Sequence, residues 1–110
     1  MIKITIYKDV EGMITGFKVM GHAGYAKAGK DIICSAVTTL VINTLNSIEH
    51  FTSDKFQYEQ EEKKGLIEFH VVSPISNNTT LLLNSLALGL QGIGEEYTNK
   101  YIDITQVKSQ

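Results

Sequence analysis

From Ile2 to Lys8 apolar and polar residues alternate, with Ile2, Ile4 and Ile6 set against Lys3, Thr5 and Tyr7. Successive side chains of a strand point to opposite faces, so this period of two predicts a half-buried strand. Asp9 and Gly12 bracket a turn cluster. A second strand is expected over residues 13–20, with Phe17 and Val19 on one face, and the two strands make a hairpin. Residues 21–30 hold Gly21, Gly24 and Gly29 with no periodicity, which predicts a loop. At Ile33 the period changes. Ile33, Val37, Leu40, Val41, Thr44, Leu45 and Ile48 fall on one face of a helix reaching about His50. Its β-branched content is high, so burial rather than propensity must hold it.

Phe56 and Tyr58 mark a third strand and Ile67, Phe69 and Val71 a fourth, joined through the charged turn at residues 61–65. Pro74 cannot donate to a ladder and ends the fourth strand. Ser76 or Asn77 can cap a second helix, whose apolar stripe is Leu83, Leu86, Leu90, Ile93 and Tyr97. Gly89 and Gly92 inside it cost about 1 kcal/mol each relative to alanine, and close helix–helix approach would account for them. Tyr101, Ile102 and Ile104 suggest a short last strand. The order is ββαββαβ. It predicts an α+β fold, with two helices packed on one face of a four- or five-stranded, mostly antiparallel sheet. The halves share the order strand, strand, helix, but the second has no counterpart of His22 or Cys34, so any duplication is structural only.

Composition narrows the class. The chain has 110 residues, 43% hydrophobic and 20% charged, which fits one soluble domain spanning residues 1–110. A net charge of −2 and a pI near 5.9 argue against a nucleic-acid surface, and Lys27 and Lys30 are too few to make a basic patch. The single cysteine cannot form an internal disulfide, which suits a reducing compartment. The alternating N-terminus is not a signal-peptide core, and Asn43, Asn46 and Asn84 interrupt the apolar runs before they reach the length of a membrane span. A cytoplasmic protein with no membrane contact is expected.

The chemistry gathers around that cysteine. Residues 21–36 place a histidine in a glycine-rich segment, then Asp31 at the opening of the helix, then Cys34 about one turn inside. Helix-start amides and the helix dipole supply partial positive charge, and thiol pKa values fall in such settings, most of all beside a histidinium. His22 precedes Cys34 by twelve residues, a span that can fold back to bring the pair within hydrogen-bond reach. The amides could also stabilise an oxyanion. Asp31 is placed to cap the helix. Its charge opposes a thiolate, so orienting His22 or holding the loop are equally open roles. Glycines 21, 24 and 29 would let the loop move over a substrate. Against all this, a buried free cysteine is commonly an inert packing residue.

Other candidates carry less. His50 near the end of the first helix suits the dipole, and His70, alternating with Phe69 and Val71, is expected on the other face of the sheet. One cysteine and three scattered histidines do not make a zinc site, and Gly89-Leu90-Gln91-Gly92 lies in a helix, the wrong context for a nucleotide fingerprint. No metal or cofactor is expected. Glu59, Glu61 and Glu62 read as a solvated turn.

The segment Gly21-His22-Ala23, with Gly29 and the run Asp31-Ile32-Ile33-Cys34-Ser35-Ala36-Val37-Thr38, resembles the signature of the ribosomal-processing cysteine protease Prp family. The turn at residues 9–12, the Asn46-containing first helix and the end of the second helix around Gly92, Ile93, Glu95, Glu96 and Tyr97 are similar too, so the likeness covers essentially the whole chain. It implies a cytoplasmic bacterial endopeptidase, a homodimer, that removes a short N-terminal extension ending near paired aromatic residues from the precursor of large-subunit ribosomal protein twenty-seven. It implies Cys34 as nucleophile and His22 as general base, with Gly21 giving the histidine loop mobility and Asp31 supporting the site. Gly24, Gly29, Ser35 and Thr38 complete the candidate set. Thr38 stands where the family usually has serine; the hydroxyl one turn past Cys34 is kept and a methyl is added.

Two readings compete with catalysis. A noncatalytic ribosome-associated domain would use Cys34 for packing and the glycine loop for docking. A redox-sensing thiol would want a resolving cysteine, which the chain does not have.

Overall fold

The computed structural model describes residues 1–21, 30–72, 74–96 and 102–108, excepting the side chains of Lys30 and Asp31. The elements run β1 (Ile2–Lys8), β2 (Ile14–Met20), α1 (Lys30–Phe51), β3 (Phe56–Glu61), β4 (Leu66–Val71), α2 (Asn77–Glu96) and β5 (Ile102–Lys108). The expected order ββαββαβ therefore holds.

The five strands form one sheet in the order β3-β4-β2-β1-β5. Three of the four pairings are antiparallel, and β1 with β5 is parallel. Strand directions make β2 parallel to β3 and β4 parallel to β5, so each helix is a crossover between parallel strands. Such crossovers are right-handed. The two run toward opposite edges from strands of opposite direction, which puts both helices on the same face.

That face holds the core. Ile4 pairs with Val19 and Val19 with Ile67; Ile6 pairs with Phe17 and Phe17 with Phe69, whose rings stack at 5.6 Å between centroids. Over these rows lie Ile33, Val37, Val41, Leu45 and Ile48 of α1, and Leu83, Leu86 and Leu90 of α2, all buried. Fully burying a side chain such as Phe17 or Phe69 contributes about 1.5–3 kcal/mol, so these rows outweigh the modest propensity of β-branched α1. Thr44, buried on the apolar face, donates its hydroxyl to the Leu40 carbonyl at 2.8 Å, so the polar atom needs no outside partner. From Ile32 to Phe51 the helix has the length and mean hydropathy, 1.3, of a membrane span. Asn43 and Asn46 therefore do not lower its hydropathy as far as the sequence suggested. Its buried stripe nevertheless packs in the domain core.

Local signals mostly act as expected. The Asp9 carboxylate accepts from the amides of Glu11 and Met13 and shapes the first turn. Tyr7 pairs with Gly16 but Lys8 with Ile14, a bulge at Thr15 that turns Ile14 onto the core face beside Phe17. Ser76, not Asn77, precedes α2: its Oγ accepts from the Thr79 amide at 3.3 Å and donates to Asp54 Oδ2 at 2.8 Å. Gly89 allows the close approach of α2 to α1, since an added Cβ would lie 3.1 Å from Leu40 Cδ1. Gly92 faces open space, so helix contact does not account for it. The final strand is longer than its apolar pattern: Thr105 to Lys108 pair through the backbone with Thr5 to Lys8.

Candidate active site

Cys34 is the fifth residue of α1, half-buried, on the turn between core residues Ile33 and Val37. The burial of those neighbours fixes the rotation of the helix and so the direction of the thiol. In any α-helix the Cα–Cβ bonds tilt toward the N-terminus, so this side chain leans back over the first turn. The ordinary partner of its own amide is the carbonyl four residues back, inside the helix. The amides left for other partners are those of the first turn.

Beside the thiol lies a cavity of about 240 Å³. Its floor is the sheet: Ile2, Val19 and Ile67. One side is α1, with Cys34, Val37 and Thr38. The facing side is the β3–β4 hairpin, with Gln60, Glu61, Glu62 and Gly65. Gly21 closes the end where β2 stops, and its amide donates to the Lys64 carbonyl at 3.1 Å, tying that end to the hairpin turn.

Of the residues singled out in the sequence, this cavity brings together Gly21, Cys34 and Thr38. Ser35, the next residue along α1, is exposed. Mobility is not what the geometry at Gly21 speaks to. Its φ is +96°, and an added Cβ would stand 2.7 Å from the Met1 carbonyl oxygen. Glycine is needed here for conformation and clearance. Asp31 is not the cap either: α1 already includes Lys30, so Asp31 is its second residue, and the position ahead of the helix is Gly29. An acidic residue type in a first turn still suits the dipole. His22, Gly24 and Gly29 lie outside the described residues.

The reading of Glu59, Glu61 and Glu62 as solvated holds, with Glu59 and Glu62 exposed, but that the hairpin walls the cavity was missed. A signal was available. The Phe56, Tyr58 alternation of the third strand extends by one step to Gln60, which pairs with Ile67 and faces the helix side. The other two histidines sit where expected. His50 is exposed in the last turn of α1. His70 packs its ring 4.7 Å from that of Tyr7, with Nε2 2.9 Å from Glu68 Oε2. Burial and the Glu68 carboxylate beside it push the Tyr7 hydroxyl above its usual range. Among the described residues no group of histidine, cysteine and carboxylate side chains could hold a metal ion.

A half-buried thiol on a rigid helix, opening to a slot of side-chain size, is suited to covalent attack on a bound carbonyl. Comparison with known proteins decides the class: residues 1–103 match the family model described as cysteine protease Prp. The chain belongs to the Prp cysteine protease family. A ribosomal processing cysteine protease Prp from Staphylococcus aureus strain Mu50 is 31% identical over 99 residues, covering 88% of this chain and 92% of that protein. Two crystal structures of the S. aureus Prp protease, one with a covalently linked product peptide and one with a substrate peptide, superpose with TM-scores of 0.88 and 0.89. Each covers 97% of this chain and all of the other, at 27% and 26% identity. The α+β fold is thus the Prp fold, and the protein is a cysteine protease. The noncatalytic and redox-sensor readings are set aside.

Proposed function

We propose that this chain is a single-domain, cytoplasmic endopeptidase, residues 1–110, that removes the short N-terminal extension of the large-subunit ribosomal protein twenty-seven precursor. The observation that carries it is the Cys34 thiol opening onto the cavity between α1 and the β3–β4 hairpin, in a chain similar to ribosomal processing cysteine proteases. In this reading His22 takes the Cys34 proton and the thiolate adds to the scissile carbonyl. Collapse of the tetrahedral intermediate breaks the C–N bond, and the imidazolium returns the proton to the leaving amine. Water, deprotonated by His22, then hydrolyses the thioester and releases the acid product. The oxyanion is held by amides of the first turn of α1. Asp31 supports that turn, Gly24 and Gly29 belong to the same candidate set, and the Thr38 hydroxyl and Ser35 flank the nucleophile on α1. Aromatic side chains beside the scissile bond find an apolar floor in Ile2, Val19 and Ile67. The protein acts as a homodimer, needs no metal or cofactor and contacts neither nucleic acid nor membrane.

Mass spectrometry of the extended ribosomal precursor incubated with the protein tests the reading. One defined cut near the precursor N-terminus, absent with Cys34→Ala, is expected. Retained cleavage by Cys34→Ala would remove Cys34 from the mechanism, and an intact precursor with the wild type would remove this substrate.

A further inference from the structure

Gln60 stands between the Cys34 cavity and another. This second cavity, of about 290 Å³, lies on the far side of that residue, between Ile42, Asn46 and Glu49 of α1 and Phe56, Tyr58 and Gln60 of β3. Gln60 lines both. The Tyr58 hydroxyl donates to Gln60 Oε1, so the residue at the junction is held by the aromatic side chain next to it on the same face. Each cavity is below the roughly 300–1,000 Å³ of a site that swallows a whole small molecule, as suits slots for single side chains. The groove is open because β3 is an edge strand with no neighbour beyond it among the described residues. Its walls are mixed. Phe56 and Ile42 pack against the core and give an apolar base, while Tyr58, 45% exposed, stands as an aromatic flank.

We propose that this α1–β3 groove seats one flank of the extended substrate, with Tyr58 its specificity-determining residue. The inference rests on the protease reading above. It commits to the substrate chain as occupant because the groove adjoins the nucleophile's cavity at Gln60, and an extended peptide lying across Cys34 must leave along one of its open ends. Length agrees. From Cys34 to Asn46 α1 rises about 18 Å, at about 1.5 Å per residue. An extended chain covers that in about five residues, at about 3.3 Å each. The groove thus reads residues well away from the scissile bond, binding that can hold the reacting carbonyl in place.

The test uses a synthetic peptide spanning the removed extension and the start of the mature ribosomal protein, with about six residues on each side of the cut, and two peptides each shortened to about two on one side. Cleavage by wild type, Tyr58→Ala and Tyr58→Phe is followed by mass spectrometry. Binding of the same peptides to Cys34→Ala, with and without Tyr58→Ala, is followed by fluorescence anisotropy. Tyr58→Ala should lower kcat/KM about tenfold on the long peptide, the scale of losing a buried aromatic anchor, with Tyr58→Phe close to wild type. On the peptide lacking the seated flank, wild-type and variant rates should converge. Equal losses on all three peptides, or none on any, would overturn the groove. If wild type cuts no peptide, the protease reading fails on this substrate and binding decides the groove. Tighter binding of the long peptide that Tyr58→Ala abolishes supports it, and length-independent binding rejects it.

Discussion

Gly21→Ala separates a steric role for this glycine from a flexible one. Gly21 follows β2 with φ at +96°, and an added Cβ would stand 2.7 Å from the Met1 carbonyl oxygen, a backbone atom just ahead of β1 that cannot swing away. A side chain in left-handed backbone costs about 1–2 kcal/mol from local sterics alone. The contact with Met1 adds to that, and relieving it would drag on the hydrogen bond from the Gly21 amide to the Lys64 carbonyl. A total of about 2–3 kcal/mol is expected. A domain of 110 residues has an unfolding entropy of about 0.23 kcal/mol/K, at about 2.1 cal/mol/K per residue, so the melting temperature should fall by about 9–13 °C. Circular dichroism melts at matched concentration measure this directly. Cleavage at a temperature where both proteins are folded gives the second readout, because Gly21 lines the Cys34 cavity and joins it to the hairpin wall. A variant that melts within about 2 °C of wild type, and differs only in turnover, would refute the steric argument and restore mobility as the glycine's purpose.

The two helix glycines should respond oppositely in size: Gly92→Ala, facing open space, should stabilise by about 0.5–1 kcal/mol, whereas Gly89→Ala, with Leu40 Cδ1 at 3.1 Å, should gain little or lose, as denaturant melts will show. The Thr79 hydroxyl, with the Ser76 amide and hydroxyl, holds the Asp54 carboxyl below its usual value. A depressed carboxyl stabilises the fold above its unfolded pKa and loses that contribution as pH falls through the folded one. The melting-temperature gap between wild type and Asp54→Asn should therefore be present at about pH 7 and close well below about pH 4; a gap that widens in acid would contradict it.

The fold was legible wherever burial set the pattern. Ile2, Ile4 and Ile6 announce a strand, and the Ile33-to-Ile48 stripe announces a helix, because one face of each is dry. What escaped was set by backbone pairing or by tertiary context. The outer half of β5 carries no apolar alternation, since its hold is the parallel ladder with Thr5 to Lys8. The helix boundary slipped by two residues, from a cap expected at Asp31 to a helix that starts at Lys30, because capping residues are also common inside first turns. At the site, Cys34 was found from local spacing and Thr38 from the family resemblance. Gln60, Glu61 and Glu62 were not, because nothing near them in the chain says that a hairpin twenty-six residues after Cys34 will form the opposite wall. That follows only from the crossover that carries α1 back over the sheet to β3.

The position of Cys34 within α1 limits what the helix itself can do for it. The dipole effect falls off within the first turn. Cys34 is the fifth residue, and its amide has an intrahelical partner by ordinary helix geometry. The helix therefore acts chiefly as a pedestal: Ile33 and Val37, each about 1% exposed, lock its rotation so that the thiol leans over the first-turn amides and toward the cavity. A pedestal aims a nucleophile but does not deprotonate it. The proposed thiolate must therefore draw on a base from outside α1, and the described walls of the cavity offer carboxylates and an amide there, Glu61, Glu62 and Gln60, but no imidazole. With aim supplied by the helix, the base proposed on the family resemblance is His22, and on that proposal the hairpin is left free to read the substrate.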